Sequence, residues 1–262
     1  MGFENINLLY SFSGLAIGII VGLTGVGGGS LMTPLLVLLF GIHPATAVGT
    51  DLLYAAATKT VGTAVHGRNK SVNWRIVGRL ATGSIPATLA TFAVMQALGA
   101  QSSKGGVLAF LLGAVLLVTA TTLLFRAQIV EFLGQRVKTA DEGLVAFLTV
   151  LTGVVLGVLV TTTSVGAGAI GVTALLVLYP SLPTLRIVGS DIAHAVPLTL
   201  ISGLGHWYLG DVDFLLLATL LIGSIPGIII GSLLAPRLPE RALRMLLAVI
   251  LVLVSLKLMG VF

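Results

Sequence analysis

Two glycine-rich stretches hold the residues best able to bind a ligand. The first is Thr24-Gly25-Val26-Gly27-Gly28-Gly29-Ser30 and the second is Thr163-Ser164-Val165-Gly166-Ala167-Gly168. Glycine lets backbone N–H groups approach an anion closely, and the flanking hydroxyls can donate further hydrogen bonds. The alternative is that these small residues only allow close helix packing. We predict a small-anion site that includes Thr24, Gly25, Gly27, Gly28, Gly29, Ser30, Thr163, Ser164, Gly166 and Gly168.

Four ionisable residues lie inside apolar segments, where a charge is costly and usually functional. They are Asp51, Lys59, Asp191 and His194. Asp191 and His194 are three residues apart and so share a helix face, and Tyr54 stands in the same relation to Asp51. We predict that Asp51, Tyr54, Asp191 and His194 form a proton-coupling element. The alternative is structural, with each aspartate capping its own helix.

Lys59 is the fourth ionisable residue, and it allows three interpretations. Its ammonium could neutralise a bound anion, pair with Asp51 about two turns away, or extend to the membrane interface. We include Lys59 among the predicted binding residues.

The elements that must position these residues are membrane helices. Of 262 residues, 56% are hydrophobic and 9% are charged, whereas a soluble domain has about 25% charged residues. A spanning helix needs about 20 apolar residues. We predict ten apolar segments, at residues 7–24, 30–41, 45–66, 75–98, 104–125, 143–163, 169–179, 186–206, 214–234 and 243–260.

Two of these segments, 30–41 and 169–179, are too short to span alone, and each follows a glycine-rich stretch. They could form re-entrant hairpins with the preceding segments or cross the membrane separately. Short or interrupted segments at corresponding places in two halves are typical of transporter binding sites.

The chain also repeats itself. A shift of 140 positions takes Val48-Gly49-Thr50-Asp51 to Val188-Gly189-Ser190-Asp191, and Gly83-Ser84-Ile85-Pro86 to Gly223-Ser224-Ile225-Pro226. We therefore predict two copies of a five-segment unit, residues 1–138 and 139–262, within one transport domain.

The charges predict that the copies are inverted. The loop after segment three holds Arg68, Lys70, Arg75 and Arg79, whereas its counterpart in the second copy holds Asp211 and Asp213. Basic loops stay in the cytoplasm, so both termini are predicted outside. Of the fourteen Lys and Arg residues, only Lys59, Lys104 and Lys257 then lie outside cytoplasmic regions.

Other functional classes have little support. The chain has no cysteine and no His-Glu-x-x-His motif, and its glycine cluster lacks the Gly-Lys-Ser/Thr ending of a phosphate-binding loop. We therefore expect no enzyme activity, no metal site, no cofactor and no nucleic-acid partner. His66 and His206, isolated near helix ends, are expected to be structural.

The pattern GLTGVGGGSLMTPLL, followed by AVGTD and a second VGSD, resembles the sulfite exporter TauE/SafE family of membrane transporters. The resemblance covers nearly the whole chain. It implies an inner-membrane transporter of a small sulfur-containing anion such as sulfite, sulfoacetate or another sulfonate. The second copy departs from the motif, since Val172-Thr173 stand where Thr33-Pro34 are found in the first.

The sequence thus predicts an all-α, polytopic protein of the bacterial inner membrane with two inverted repeats. We expect a secondary transporter whose partners are a small anionic substrate and the lipid bilayer, with a homodimer as an open expectation. A passive anion channel is the main alternative. The direction of transport and the exact substrate stay open at this point.

Overall fold

In a computed structural model, the described residues are 8–24, 29–68, 70–97, 105–137, 140–234 and 240–261. This part of the chain contains eleven α-helices and no strand. Their bounds are α1 Leu8–Thr24, α2 Gly29–Phe40, α3 Pro44–Arg68, α4 Trp74–Ala97, α5 Gly105–Leu124, α6 Arg126–Val137, α7 Glu142–Thr163, α8 Ile170–Leu178, α9 Thr184–Tyr208, α10 Phe214–Leu234 and α11 Glu240–Leu258. The prediction of an all-α, polytopic membrane protein is confirmed.

Ten of the helices correspond to the ten predicted segments, and α6 is additional. Residues 126–137 lie between two predicted apolar segments, in a region predicted to be cytoplasmic, and they are helical. The segment carries Arg126, Glu131 and Arg136, so a search for apolar runs passes over it. It connects the two proposed copies.

Within the described residues, five helices are long and apolar enough to cross a membrane. They are α4, α5, α7, α9 and α10, while shorter apolar helices occur within α1, α2 and α11. Helix α3 is also long but carries Asp51 and Lys59. Polar residues of this kind lower the hydropathy of a span that is buried among other helices.

Side chains are distributed as expected for a protein in lipid. Large apolar side chains such as Phe12, Phe147 and Ile229 are exposed on the outer surface. Polar side chains such as Thr88, Ser84 and His194 are fully buried. Because lipid tails are apolar, a membrane protein gains little by burying leucine and keeps its polar groups inside.

Helix contacts fall into pairs related by the sequence shift of about 140 positions. Helix α1 packs against α10, and α7 packs against α4. The shift relates α1, α2, α3, α4 and α5 to α7, α8, α9, α10 and α11 in that order. The contact α2–α3 therefore corresponds to α8–α9, α3–α10 corresponds to α4–α9, and α2–α11 corresponds to α5–α8. Helices α3 and α9 contact each other, as do α5 and α11. A two-fold relation between two halves would produce this pattern, although the inversion of the copies stays a prediction.

Two reciprocal hydrogen bonds follow the same relation. The backbone N–H of Asp213 donates to the Thr50 hydroxyl over 3.1 Å. The backbone N–H of Asn73 donates to the Ser190 hydroxyl over 2.8 Å. Thr50 and Ser190 differ by 140 positions, as do Asn73 and Asp213. In each half, a hydroxyl of the long polar helix, α3 or α9, therefore accepts a hydrogen bond from a loop of the other half.

Both short helices form hairpins with the helix that precedes them. The hydroxyl of Tyr179, which follows the last residue of α8, lies 2.9 Å from the Thr149 hydroxyl in the first half of α7. The rings of Tyr10 in α1 and Phe40 at the end of α2 are 4.6 Å apart. Each short helix thus returns toward the end at which its predecessor began. Both alternatives left open by the sequence, a re-entrant hairpin and two separate crossings, produce such an antiparallel pair, so the choice between them stays a prediction.

Glycines allow the closest helix pairs to form. A side chain at Gly83 in α4 would collide with the backbone of Val150, and one at Gly153 in α7 would collide with the backbone of Leu80. In the α1–α10 pair, side chains at Gly18 and Gly227 would likewise meet facing backbone. Close backbone approach of this kind is a main source of helix association in lipid.

This packing gives a stability prediction. Replacing Gly153 with Val should lower the melting temperature of the purified protein in detergent, because overpacking a tight contact costs about 1–3 kcal/mol. Gly78→Val is the matched control, since Gly78 lies in the partner helix α4 with no heavy atom within 4 Å of an added Cβ. Thermal unfolding followed by tryptophan fluorescence measures both variants. Equal melting temperatures would contradict the packing role.

Candidate functional site

The second glycine-rich stretch is a break between α7 and α8. Ser164 has a φ of 60°, and Gly166 and Gly168 have φ values of 120° and 104°. These left-handed conformations end the helix, and they suit glycine, which has no Cβ to clash. Ser164 and Gly166 are buried. Non-helical backbone is tolerated at membrane depth only where protein or a wet cavity surrounds it.

The carboxylate of Asp191 faces this break. It lies in α9, fully buried, with the backbone N–H of Gly168 directed toward it. A side chain at Gly171, near the start of α8, would collide with Oδ1 of Asp191. Partial positive charge gathers at the N-terminus of a helix. The carboxylate therefore lies where an anion would be expected to bind.

Asp51 lies beside the same break from the other half of the chain. The Thr33 hydroxyl of α2 donates to its Oδ2 over 2.5 Å, and the Ser164 hydroxyl lies close to the same carboxylate. Its Oδ1 is buried with no hydrogen-bond partner among the described residues, as is the Ser164 hydroxyl. Because unpaired buried polar atoms are costly, these groups are candidates for contact with a ligand or water.

Each aspartate has a second polar residue one turn further along its helix. His194 Nε2 and the Ser84 hydroxyl share a hydrogen bond of 2.8 Å, and His194 Nδ1 has no partner in the described part of the chain. The Tyr54 hydroxyl lies near the Ser224 hydroxyl. The shift of 140 positions relates Tyr54 to His194 and Ser84 to Ser224. The two halves thus supply two corresponding polar clusters.

Lys59 connects the two clusters electrostatically. Its side chain is buried within electrostatic range of Asp191, Asp51 and His194, and its strongest interaction is with Asp191. No ion pair within 4.0 Å joins it to a carboxylate among the described residues. Burial inside the protein contradicts the interpretation that Lys59 extends to the membrane interface.

The two aspartates do not cap their own helices. Helix α3 begins at Pro44 and α9 begins at Thr184, so each carboxylate lies about two turns inside its helix. A cap bonds to backbone N–H groups of the first turn. Asp51 instead accepts from Thr33 of α2, and Asp191 faces the start of α8.

The predicted binding residues differ in how far the structure describes them. Gly25, Gly27 and Gly28 lie outside the described residues, as do the side chains of Thr24 and Ser30. Gly29 begins α2. The hydroxyl of Thr163 donates to Leu159 O over 2.6 Å and accepts from Val165 N over 3.2 Å. That hydroxyl stabilises the break itself, so Ser164 is the available hydroxyl beside it.

Sequence reasoning overlooked three residues of these clusters: Thr33, Ser84 and Ser224. The repeated Gly-Ser-Ile-Pro motif was a signal for the two serines, because both copies keep a hydroxyl at that position. Thr33 had no such signal, since a shift of 139 positions, which aligns the two glycine-rich stretches, relates it to Val172. His206, by contrast, has both ring nitrogens occupied, by Asp211 Oδ2 at 3.2 Å and Thr161 O at 2.9 Å.

Comparison with known proteins identifies the family. Residues 10–258 match the family described as Sulfite exporter TauE/SafE. The chain is 40% identical over 251 residues to the probable membrane transporter protein YjnA of Bacillus subtilis, covering 94% of this chain and 96% of the relative. It is 28% identical over 232 residues to the probable membrane transporter protein YdhB of the same organism, covering 87% and 90%.

A probable membrane transporter protein of Xylella fastidiosa is 28% identical over 240 residues, covering 86% of this chain and 83% of the relative. No solved structure matches the chain. The names of these relatives indicate membrane transporters rather than enzymes. With its buried polar clusters enclosed by apolar helices, the chain belongs to the sulfite exporter TauE/SafE family and is a multi-pass membrane transporter.

Proposed function

We propose that the protein carries a small sulfur-containing anion, such as sulfite or an organosulfonate, through a site between the α7–α8 break and the two buried aspartates. The observation that carries this proposal is the convergence of Asp51, Asp191 and the break in the protein interior. The sulfur chemistry comes from the description of the family. The first glycine-rich stretch would complete the site from the other half.

The charges around the site favour proton coupling. With both carboxylates ionised, their two negative charges exceed the one positive charge of Lys59, and the charge of Arg126 also acts on Asp191. An entering anion would then be repelled at short range in a medium of low dielectric constant. One proton makes the cluster neutral and a second makes it positive, so anion and proton would bind together. We propose that they move in the same direction.

The proposed orientation follows the charges. The loop that contains Lys70 and Asn73 and the start of α7 would face the cytoplasm, and the loop at Asp211 would face outside. The two copies would then be inverted, and alternating access would arise from movement of one half against the other. For a bacterial protein of this kind, the membrane is the inner one.

Coupling can be tested by transport into proteoliposomes. Uptake of sulfite should be faster when the solution outside is more acidic than the lumen, with up to about tenfold accumulation per pH unit for one coupled proton. Protein-free liposomes at the same gradient measure leakage of protonated sulfite. Methanesulfonate, which stays ionised near neutral pH, provides a second substrate. Uptake that ignores the gradient would indicate a passive channel, and no uptake of either anion would contradict the substrate class.

Asp51→Asn tests the role of the carboxylate. The amide keeps the size of the side chain but cannot exchange a proton, so gradient-driven accumulation should fall by at least about tenfold. Exchange of labelled for unlabelled substrate across the membrane should persist, because it needs no net proton movement. Glu131→Gln, an exposed carboxylate of α6 outside the cluster, is the control. Full accumulation by the Asp51 variant would exclude this residue from coupling.

The role of the break can be tested separately. Gly168→Val should abolish uptake while the protein still inserts into the membrane, because the new side chain forces a different backbone at the start of α8. Gly210→Val is matched in conformation, with a φ of 85° compared with 104° for Gly168, but it lies in a loop with open space around it. Similar uptake by the two variants would contradict a specific role of the break in transport.

A further inference from the structure

A cleft of about 400 Å³ opens at one end of the molecule, where α4 and α7 begin and α8 ends. Its lining includes the polar residues Asn73, Arg75, Arg79, Glu142, Tyr179 and Ser181. This is the end at which the sequence predicts cytoplasmic loops. The cleft is separate from the buried aspartates, and the proposed transport mechanism does not use its arginines.

Two arginines in this cleft already hold a carboxylate. Arg79 Nη2 donates to Glu142 Oε1 over 3.0 Å, and Arg75 Nη1 lies 3.5 Å from the same oxygen. Arg79 Nη1 donates to the Tyr179 hydroxyl over 3.3 Å. Guanidinium groups of this kind suit the planar, multiple oxygens of carboxylates and other oxyanions. The geometry of an oxyanion-binding site is therefore present.

The carboxylate in this arrangement is easily displaced. The side chain of Glu142 is 71% exposed and that of Arg75 is 74% exposed, whereas that of Arg79 is 22% exposed. Exposed ion pairs contribute little to stability. Arg79 is held in place by its partly buried position and by Tyr179, which in turn bonds to Thr149. Glu142 can thus leave while Arg79 keeps its place.

The other end of the molecule has no corresponding arrangement among the described residues. A shift of 140 positions takes Arg79 to Thr219, and the shift of 139 positions that aligns the two glycine-rich stretches relates Tyr179 to Phe40 and Thr149 to Tyr10. There the contact is an edge-to-face pair of Tyr10 and Phe40 rings. The basic cleft is therefore a property of one end of the molecule.

We propose that this cleft is a docking site for a small oxyanion, at which the anion replaces Glu142 on Arg79 and Arg75. The identity of the anion rests on the proposed function. The cleft would bind the substrate transiently before it enters the central site or after it leaves that site. Glu142 acts as a tethered competitor that occupies the arginines when no anion is bound. Chloride, which lacks several oxygens in one plane, should compete poorly.

Direct binding to the purified full-length protein in detergent tests this proposal without any transport. Trp74 adjoins Asn73 and Arg75 at the cleft, and the only other tryptophan, Trp207, can be replaced by Phe. Sodium sulfite is titrated against Trp74 fluorescence at constant ionic strength, with sodium chloride as the control salt. We expect Arg79→Gln to weaken binding by about tenfold or more, since hydrogen bonds to charged groups are lost.

The decisive comparison is between Arg79→Gln and Glu142→Gln. If the ion pair is only structural, both variants lose the same contact and should behave alike. If Glu142 competes with the anion, Glu142→Gln should tighten sulfite binding several-fold while Arg79→Gln weakens it. Shifts in the same direction, or no shift in either variant, would overturn the proposal. Thermal unfolding of each variant confirms that it is folded.

Transport measurements keep this inference distinct from the proposed function. Opposite shifts in sulfite affinity, in a protein that moves no sulfur anion in proteoliposomes, would support the docking site and contradict the proposed function. If both variants transport sulfite normally and the sulfite affinity reported by Trp74 fluorescence is unchanged, the proposed function is supported and the docking site is contradicted.

Discussion

In hydrocarbon, a backbone amide without a hydrogen-bond partner costs several kcal/mol, so a chain can leave the helical conformation only where protein surrounds it. The break after Thr163 meets this condition because Ser164, Val165, Gly166 and Ala167 are buried among other helices. Its surroundings are polar as well, since Asp191 faces the break from α9. Helix α8 has nine residues and is too short to cross a membrane alone, so its N-terminal end must lie inside the protein, beside these polar groups. The polar interior and the broken helix therefore require each other.

The same constraint explains how the helices are held. Contacts between glycine faces bring backbones together in the α1–α10 and α4–α7 pairs, where leucine against leucine would gain nothing over leucine against lipid. The polar helices α3 and α9 lie together, where their aspartates, hydroxyls and Lys59 can face one another instead of lipid. Apolar residues cover the exterior. The fold thus separates packing, which small residues provide, from chemistry, which two polar helices provide.

Much of this could be predicted from the sequence, for identifiable reasons. Apolar runs and glycine spacing located the ten main helices, and the repeat of the Val-Gly-Thr/Ser-Asp motif pointed to Asp51 and Asp191. Distances between helices could not be predicted, because one sequence carries no pairing information. The contact of Thr33 with Asp51 and that of Ser84 with His194 both cross between helices. Helix α6 could not be found from hydropathy, because its charged and polar residues alternate with apolar ones and hydropathy detects only continuous apolar runs.

The single lysine of the polar interior has a consequence for how such a molecule can arise. An assembly of two identical chains carries every charge twice, so two aspartates would be accompanied by either no lysine or two. Here Thr199 stands at the position that corresponds to Lys59, and one ammonium serves two carboxylates. Two identical chains related by a two-fold axis cannot place an odd number of charges around a shared site, whereas two halves of different sequence in one chain can. Covalent linkage of the halves would thus permit an unequal division of labour that a symmetric dimer cannot reach.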